Sequence, residues 1–169
     1  WEDYARNTGT AVVMDAAWCF DSLVPSDLPS VVSLHATKVL GVGEGGMIVC
    51  RDVAAIETLR AMANFGLNGD RVSQFSGGTN AKMSEYTAAI GLAALDAWPD
   101  RRARLRALAS SYIGRIKDIP DCQIMPGLDG TWTQAAMAVR LPAAKIEPVM
   151  AAFAAQKIEV RQWWTPMLP

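Results

Sequence analysis

The sequence predicts an α/β chain, and three observations predict it. Short apolar runs at 11–15, 30–32 and 47–50 are bounded by Asp, Pro, Ser and Gly and read as buried strands. Helical stripes follow at 53–64, 83–98 and 101–118. After Pro120 the composition shifts, and a strand–strand–helix–strand pattern begins. The expected organisation is therefore 1–98 as part of a larger α/β domain, 99–119 as a connecting helix and 120–169 as an incomplete smaller domain.

The totals narrow the class. A chain of 169 residues holds one domain with a real core, or parts of two. With 51% hydrophobic and 20% charged residues it reads as globular rather than disordered. A net charge of −1 gives no reason to expect nucleic acid or an anionic membrane as partner. No apolar run reaches the roughly 18 residues a spanning helix needs. The start, Trp1-Glu2-Asp3-Tyr4, is neither a signal peptide nor an initiator methionine, so the chain reads as a piece of a longer protein. Cys19, Cys50 and Cys122 are odd in number and show no metal-ligand spacing. They are expected to be reduced, mostly buried thiols in a cytoplasmic protein, with no metal site.

In order, the run at 11–15 ends in Asp15. Open α/β sheets bind ligands beyond the carboxyl ends of their strands, although a strand-end Asp is also a common cap. A loop over 21–29 follows, with Pro25 and Pro29. Ser30-Val31-Val32 then leads into Ser33-Leu34-His35-Ala36-Thr37-Lys38 and a turn with Gly41, Gly43, Gly45 and Gly46. Met47-Ile48-Val49-Cys50 leaves it as the next strand. A lysine held between buried strands is a candidate nucleophile toward a carbonyl cofactor; a solvated turn lysine is the plainer alternative.

Asp52 reads as an N-cap, with Val53, Ile56, Leu59 and Ala63 as the stripe of its helix. A long loop over 66–79 holds four glycines, and loops of that length inside a domain are often functional. The stretch 83–98 is apolar nearly all round, with Tyr86, Ile90, Leu92 and Leu95. It is expected to be buried in a core or at a subunit interface. Pro99-Asp100 should break it and start the helix over 101–118. There Arg101, Arg102, Arg104 and Arg106 read as a solvated face. Beyond Pro120, strands are expected at 122–125, along Ala135, Met137 and Val139, and at 158–161, with a turn over 126–131. A helix should begin at Glu147-Pro148, with proline in its first turn.

The segment Ser33-Leu34-His35-Ala36-Thr37-Lys38, with Gly43-Glu44-Gly45-Gly46 after it, resembles the lysine segment of the DegT/StrS sugar aminotransferases. These are pyridoxal-phosphate enzymes of the aspartate aminotransferase superfamily, fold type I. The resemblance runs over about residues 10–166. It implies the second half of a three-layer α/β/α large domain with a mixed, mostly parallel sheet, and part of a small α/β C-terminal domain. It further implies that Lys38 holds pyridoxal 5'-phosphate as a Schiff base and that Ser33 donates to the cofactor phosphate. Met14-Asp15-Ala16-Ala17 is similar to the family's Asp-Ala-Ala motif, whose Asp pairs with the pyridine nitrogen, so Asp15 takes that role. Three residues on, near the cofactor's phenolic oxygen, the family has Gln or His. This chain has Trp18, which can donate one hydrogen bond but accept none.

Gly78-Thr79-Asn80-Ala81-Lys82-Met83 resembles the family's Gly-Tyr-Asn-Tyr-Arg-Met, whose Asn reaches the cofactor phosphate of the neighbouring subunit. This implies a homodimer with Asn80 in the shared site; helix capping is a compatible second use. His35 matches the motif and is expected to be packed and hydrogen-bonded near the site. Glu44 matches without an assigned role. Gln162-Trp163-Trp164-Thr165-Pro166 is similar to the family's aromatic stretch at the substrate mouth, or is a simple edge cluster. The implied reaction moves an amino group from an amino acid, glutamate by expectation, to a keto sugar nucleotide, for amino-sugar, polysaccharide or antibiotic biosynthesis. Two other readings stay open. One is a non-catalytic homologue serving as a binding or assembly subunit. The other is a sugar dehydratase on the same cofactor, against which the retained Lys38 argues.

Overall fold

The computed structural model describes residues 1–67, 69–125 and 133–163. Its first sheet has three strands in the order β1 (Met14–Asp15), β2 (Ser30–Ser33), β3 (Gly46–Val49). β1 runs parallel to β2, with Asp15 opposite Val31, and β3 runs antiparallel to β2, with Gly46 opposite Ser33. The sheet is thus mixed, and the carboxyl ends of β1 and β2 lie on one edge. Only the last two residues of the apolar run at 11–15 pair, because a strand exists only where a partner offers its ladder.

Behind that edge Leu34, Leu40 and Val42 are buried together, with Phe20, Ala94 and Trp98 packed against them. The Phe20 and Trp98 rings meet edge to face at 5.0 Å. This cluster fixes the loop between β2 and β3 against the helical layer.

The helices follow local signals closely. α1 (Glu2–Thr8) was not expected: it is short, and its Trp1 N-cap makes no side-chain bond. It is held from a distance, by Ser26 Oγ at 2.6 Å and the Asp27 amide at 3.1 Å, both donating to Glu2 Oε1. The Ser26 hydroxyl, then the Asp27 amide, keep the Glu2 carboxyl below its usual range. α2 (Val53–Ala63) begins as expected, with Asp52 Oδ1 accepting from the Ala55 amide at 3.1 Å.

α3 (Glu85–Asp96) is capped by Ser84, which accepts from the Thr87 amide at 3.1 Å, and not by Asn80. α4 (Trp98–Ile116) follows after Ala97 alone, with Pro99 in its first turn, where an amide hydrogen is not needed. Of the two places expected for 83–98, a core of this chain is not what α3 occupies: its Ala94 packs on the β2–β3 loop, while Tyr86 and Leu92 are 79% and 66% exposed, as a subunit interface would leave them in one chain.

In the C-terminal region β4 (Gln123–Ile124) pairs antiparallel with β5 (Val139–Arg140). α5 (Ala143–Ala155) starts one turn earlier than expected, so Pro148 lies inside it rather than in its first turn. The two alanines after Pro142 extend the helix upstream, and Pro148 can give no amide hydrogen to the Ala144 carbonyl. The strand expected at 158–161 is absent. The amides of Gln156, Lys157 and Ile158 are spent on closing α5 onto Phe153 and Ala154. Arg161 then folds back on Glu159, with its Nε and Nη2 donating to Oε1 at 3.0 and 2.8 Å. The turn expected over 126–131 and the residues Trp164, Thr165 and Pro166 lie outside the described residues. Cys19, Cys50 and Cys122, expected to be mostly buried, are all three only half-buried.

One buried group joins the parts. The Asp21 side chain is 6% exposed and accepts from Arg102 Nε, from Arg106 Nη2 at 3.1 Å and from Thr133 Oγ1 at 2.7 Å. The basic run on α4 is therefore not merely a solvated face: Arg102 and Arg106 turn inward, while Arg101 and Arg104 stay exposed. Burial would raise the Asp21 carboxyl, but the hydrogen bonds from Thr133 and Arg102 and the charges of both arginines bring it below its usual range.

Candidate active site

The loop between β2 and β3 continues their pairing before it turns. The Leu34 amide donates to the Gly45 carbonyl at 2.9 Å and the Ala36 amide to the Gly43 carbonyl at 2.7 Å. The tip folds back on itself, with the Val42 amide donating to the Leu34 carbonyl and the Lys38 amide to the His35 carbonyl, both at 2.9 Å. Gly41 is required here: a Cβ on it would lie 2.6 Å from the Ala36 carbonyl oxygen. Lys38 thus leaves a stiff, doubly closed tip. The tip is anchored by Val39 and Leu40, both buried.

Lys38 is half-buried, and its Nζ sits over the Trp18 ring, 3.8 Å from the centroid. Trp18 in turn meets Trp163 edge-on, centroids 5.4 Å apart. Asp15 ends β1, beside Val31 and two residues short of Ser33 on the neighbouring strand. Its Oδ1 accepts from the Ala17 amide at 3.0 Å, so the carboxylate also braces the turn that carries Trp18. Ser33 Oγ accepts from the His35 amide at 3.3 Å. Asp15 and Ser33 thus close the ends of neighbouring strands, and Lys38 in the turn after β2 meets the Trp18 face.

Two residues gain partners that spacing could not reveal. The Thr37 amide donates to His35 Nδ1 at 3.2 Å, and the Thr37 hydroxyl lies 2.9 Å from the same nitrogen. Nδ1 thus accepts, which leaves the proton of the neutral ring on Nε2, 3.5 Å from Glu44 Oε1. Glu44 thus faces the histidine across the glycine turn. Their link spans the loop tip, and no local pattern announces it.

Asn80 stands apart from this group. It bridges antiparallel to Asn64, while the Phe65 amide donates to the Thr79 carbonyl at 3.0 Å and the Ala81 amide to the Ala63 carbonyl at 2.9 Å. These bonds cinch the base of the long loop. Gly66 and Gly78 touch there, with φ +75° at Gly66, and a Cβ on Gly78 would lie 2.1 Å from the Gly66 nitrogen. Lys82 Nζ reinforces the base, donating to Asn64 Oδ1 at 2.8 Å over the Phe65 ring. Met83 carries this segment toward the lysine loop: its Cε lies 3.3 Å from where a Cβ on Gly45 would stand. Asn80 itself is exposed, and among the described residues it shares no hydrogen bond with Asp15, Trp18, Ser33 or Lys38.

The donor set fits a pyridoxal phosphate. A primary amine, a carboxylate at the end of a parallel strand and a serine hydroxyl are the kinds of group that could meet its aldehyde, ring nitrogen and phosphate. Among the described residues no cluster of three or more His, Cys, Asp or Glu could hold a metal ion.

Comparison with known proteins places the fold. A model of the DegT/DnrJ/EryC1/StrS aminotransferase family matches residues 1–168. The dTDP-4-amino-4,6-dideoxy-D-glucose transaminase of Shigella dysenteriae is 37% identical over 131 residues, covering 73% of this chain and 35% of that protein. The dTDP-3-amino-3,4,6-trideoxy-alpha-D-glucose transaminase of Streptomyces venezuelae is 35% identical over 107 residues, covering 59% of this chain and 27% of that protein. The crystal structure of DesI with its TDP-sugar product superposes with a TM-score of 0.79 at 30% identity, over 98% of this chain and 45% of that one. The chain thus spans about a third of the curated relatives' length and just under half of that solved structure.

Proposed function

The chain belongs to the DegT/DnrJ/EryC1/StrS aminotransferase family, and from that premise we propose that the whole protein is a pyridoxal-phosphate-dependent aminotransferase acting on a keto sugar carried by a nucleotide. The amino donor is an amino acid, glutamate in our reading. The observation that supports the proposal is that Asp15 and Ser33 end neighbouring parallel strands, with the half-buried Lys38 in the closed turn that β2 enters.

Bound there, the cofactor supplies an electron sink for the bond next to the migrating amine. Lys38 would hold the cofactor through Nζ, and the same amine would move a proton at the substrate carbon as general base. Asp15 holds a proton on the ring nitrogen, its second oxygen oriented by the Ala17 bond to the first. Ser33 turns its hydroxyl to the phosphate, and Asn80 of the partner subunit completes that contact in a homodimer. We place the protein in the cytoplasm, in keeping with three free cysteines, and read α4 as the link from the large domain to the small one. Among the described residues no helix is long and apolar enough to cross a membrane.

The test is reductive trapping. Borohydride treatment of the full-length protein loaded with pyridoxal phosphate should fix the cofactor to the peptide containing Lys38. Label on another lysine, or on none, refutes the proposal.

A further inference from the structure

Three features stand outside the proposed reaction: the exposed side of α3, the Asp21 cluster and the aromatic pair at the lysine. Only the last points to a role beyond packing. Trp18 stands where the resemblance expects a residue with a hydrogen-bonding tip, and what the structure puts there is a flat ring under an ammonium, 3.8 Å from centroid to Nζ.

We propose that Trp18 is a positioning residue for Lys38: its indole face holds the free ammonium in place, and Trp163 steadies the indole by its edge. The inference rests on the reading of Lys38 as the reactive amine. Its physics is the attraction of a cation to the negative face of an indole, the strongest aromatic acceptor of this kind. Among the described residues Lys38 has no carboxylate partner, although Asp15 ends the adjacent strand. Trp18, rather than a carboxylate, is what meets the amine. Asp15 stays available to a ring nitrogen, and Lys38 returns to one fixed place whenever it is released. Trp163 lies 145 residues along the chain from Trp18, so the shelf also ties the C-terminal region to the reactive amine.

The test uses the cofactor-free, full-length protein and trinitrobenzenesulfonate, with labelling rates read lysine by lysine through peptide mass. Trp18→Gln should label Lys38 about fivefold faster than the parent, the size expected for losing a partly desolvated cation–π contact. Trp18→Leu keeps an apolar cover but no π face, and should behave like Trp18→Gln. Trp18→Phe keeps a weaker face and should fall between. Trp163→Ala should raise the rate about twofold. Lys82, over Phe65 at 4.6 Å, should keep its rate throughout and serves as the internal control. If Trp18→Leu labels like the parent, plain cover explains the contact and the inference is overturned. Equal rates in Trp18→Gln and the parent overturn it as well. Either result leaves the borohydride mapping of Lys38 untouched, so the two readings fail separately. Should Trp18→Gln not fold, the contrast between Trp18→Phe and Trp18→Leu decides alone.

Discussion

At the scale of single residues, Asp15 and Asp21 show two uses of a carboxylate a few positions apart. Asp15 is exposed, shares one oxygen with a backbone amide and, in the proposed reaction, meets the cofactor. Asp15→Asn in the full-length enzyme should leave cofactor binding nearly intact but slow the half-reaction with the amino donor by about a hundredfold or more, as seen in stopped-flow absorbance. An unchanged rate would remove Asp15 from its role. Asp21 is buried and placed for stability. Asp21→Asn leaves two guanidinium groups without their anion. The loss should be about 2 kcal/mol, below the roughly 3–5 kcal/mol of deep pairs because both arginines stay more than a third exposed. The pH dependence has a definite sign. The folded carboxyl lies below its ordinary value of 3.8, so its contribution is complete above that value and is lost as the pH falls through the lower, folded one. Melting temperatures taken downward from about pH 6 should therefore fall more steeply below about pH 4 in the parent than in Asp21→Asn. Parallel curves would count against the pairing.

At the scale of elements, two loops depend on glycines for closure, and each makes a prediction. Gly41→Ala would drive a Cβ to 2.6 Å from the Ala36 carbonyl oxygen, so the tip carrying Lys38 must open. Cofactor affinity should drop at least about tenfold, by absorbance titration, for a loss of more than about 1.4 kcal/mol. Gly78→Ala meets backbone at 2.1 Å, and should expose the long loop to limited proteolysis while leaving α2 and α3 helical. What could be read in the sequence separates along the same line. Asp52 was legible as a cap because its partner amide is three residues on, and the glycine-rich tip because dense glycines demand a turn. α1 was not legible, since Ser26 and Asp27 hold it from 24 and 25 residues away. The strand expected at 158–161 failed for a related reason. Alternation shows that a segment could pair, but only the rest of the fold supplies a partner. At the site, the positions of Lys38, Asp15 and Ser33 follow from strands and motif. The Trp18–Lys38 contact and the His35–Glu44 pair depend on how distant turns meet.

At the scale of the whole molecule, α3 shows its apolar side chains outward, Tyr86, Leu92 and Leu95 among them, and a soluble chain rarely leaves such a face bare. The 169-residue chain by itself should associate in sedimentation runs, and a strictly monomeric species at micromolar concentration would contradict this. In the full-length protein the shared-site reading predicts complementation. Mixing Lys38→Ala with Asn80→Ala, each inactive alone, should give hybrid dimers with one intact site and recovered activity. Hybrids that form and stay inactive place Asn80 in the site of its own subunit. The Asp21 cluster carries one further consequence, for the rates of folding. Its bonds join residues 81, 85 and 112 positions apart, so closing them entails large loops and few can be made early. Such contacts are expected to form after the folding transition state. Weakening them should leave the folding rate almost unchanged and quicken unfolding, so that Asp21, Arg102, Arg106 and Thr133 act together as a latch on the lifetime of the native state.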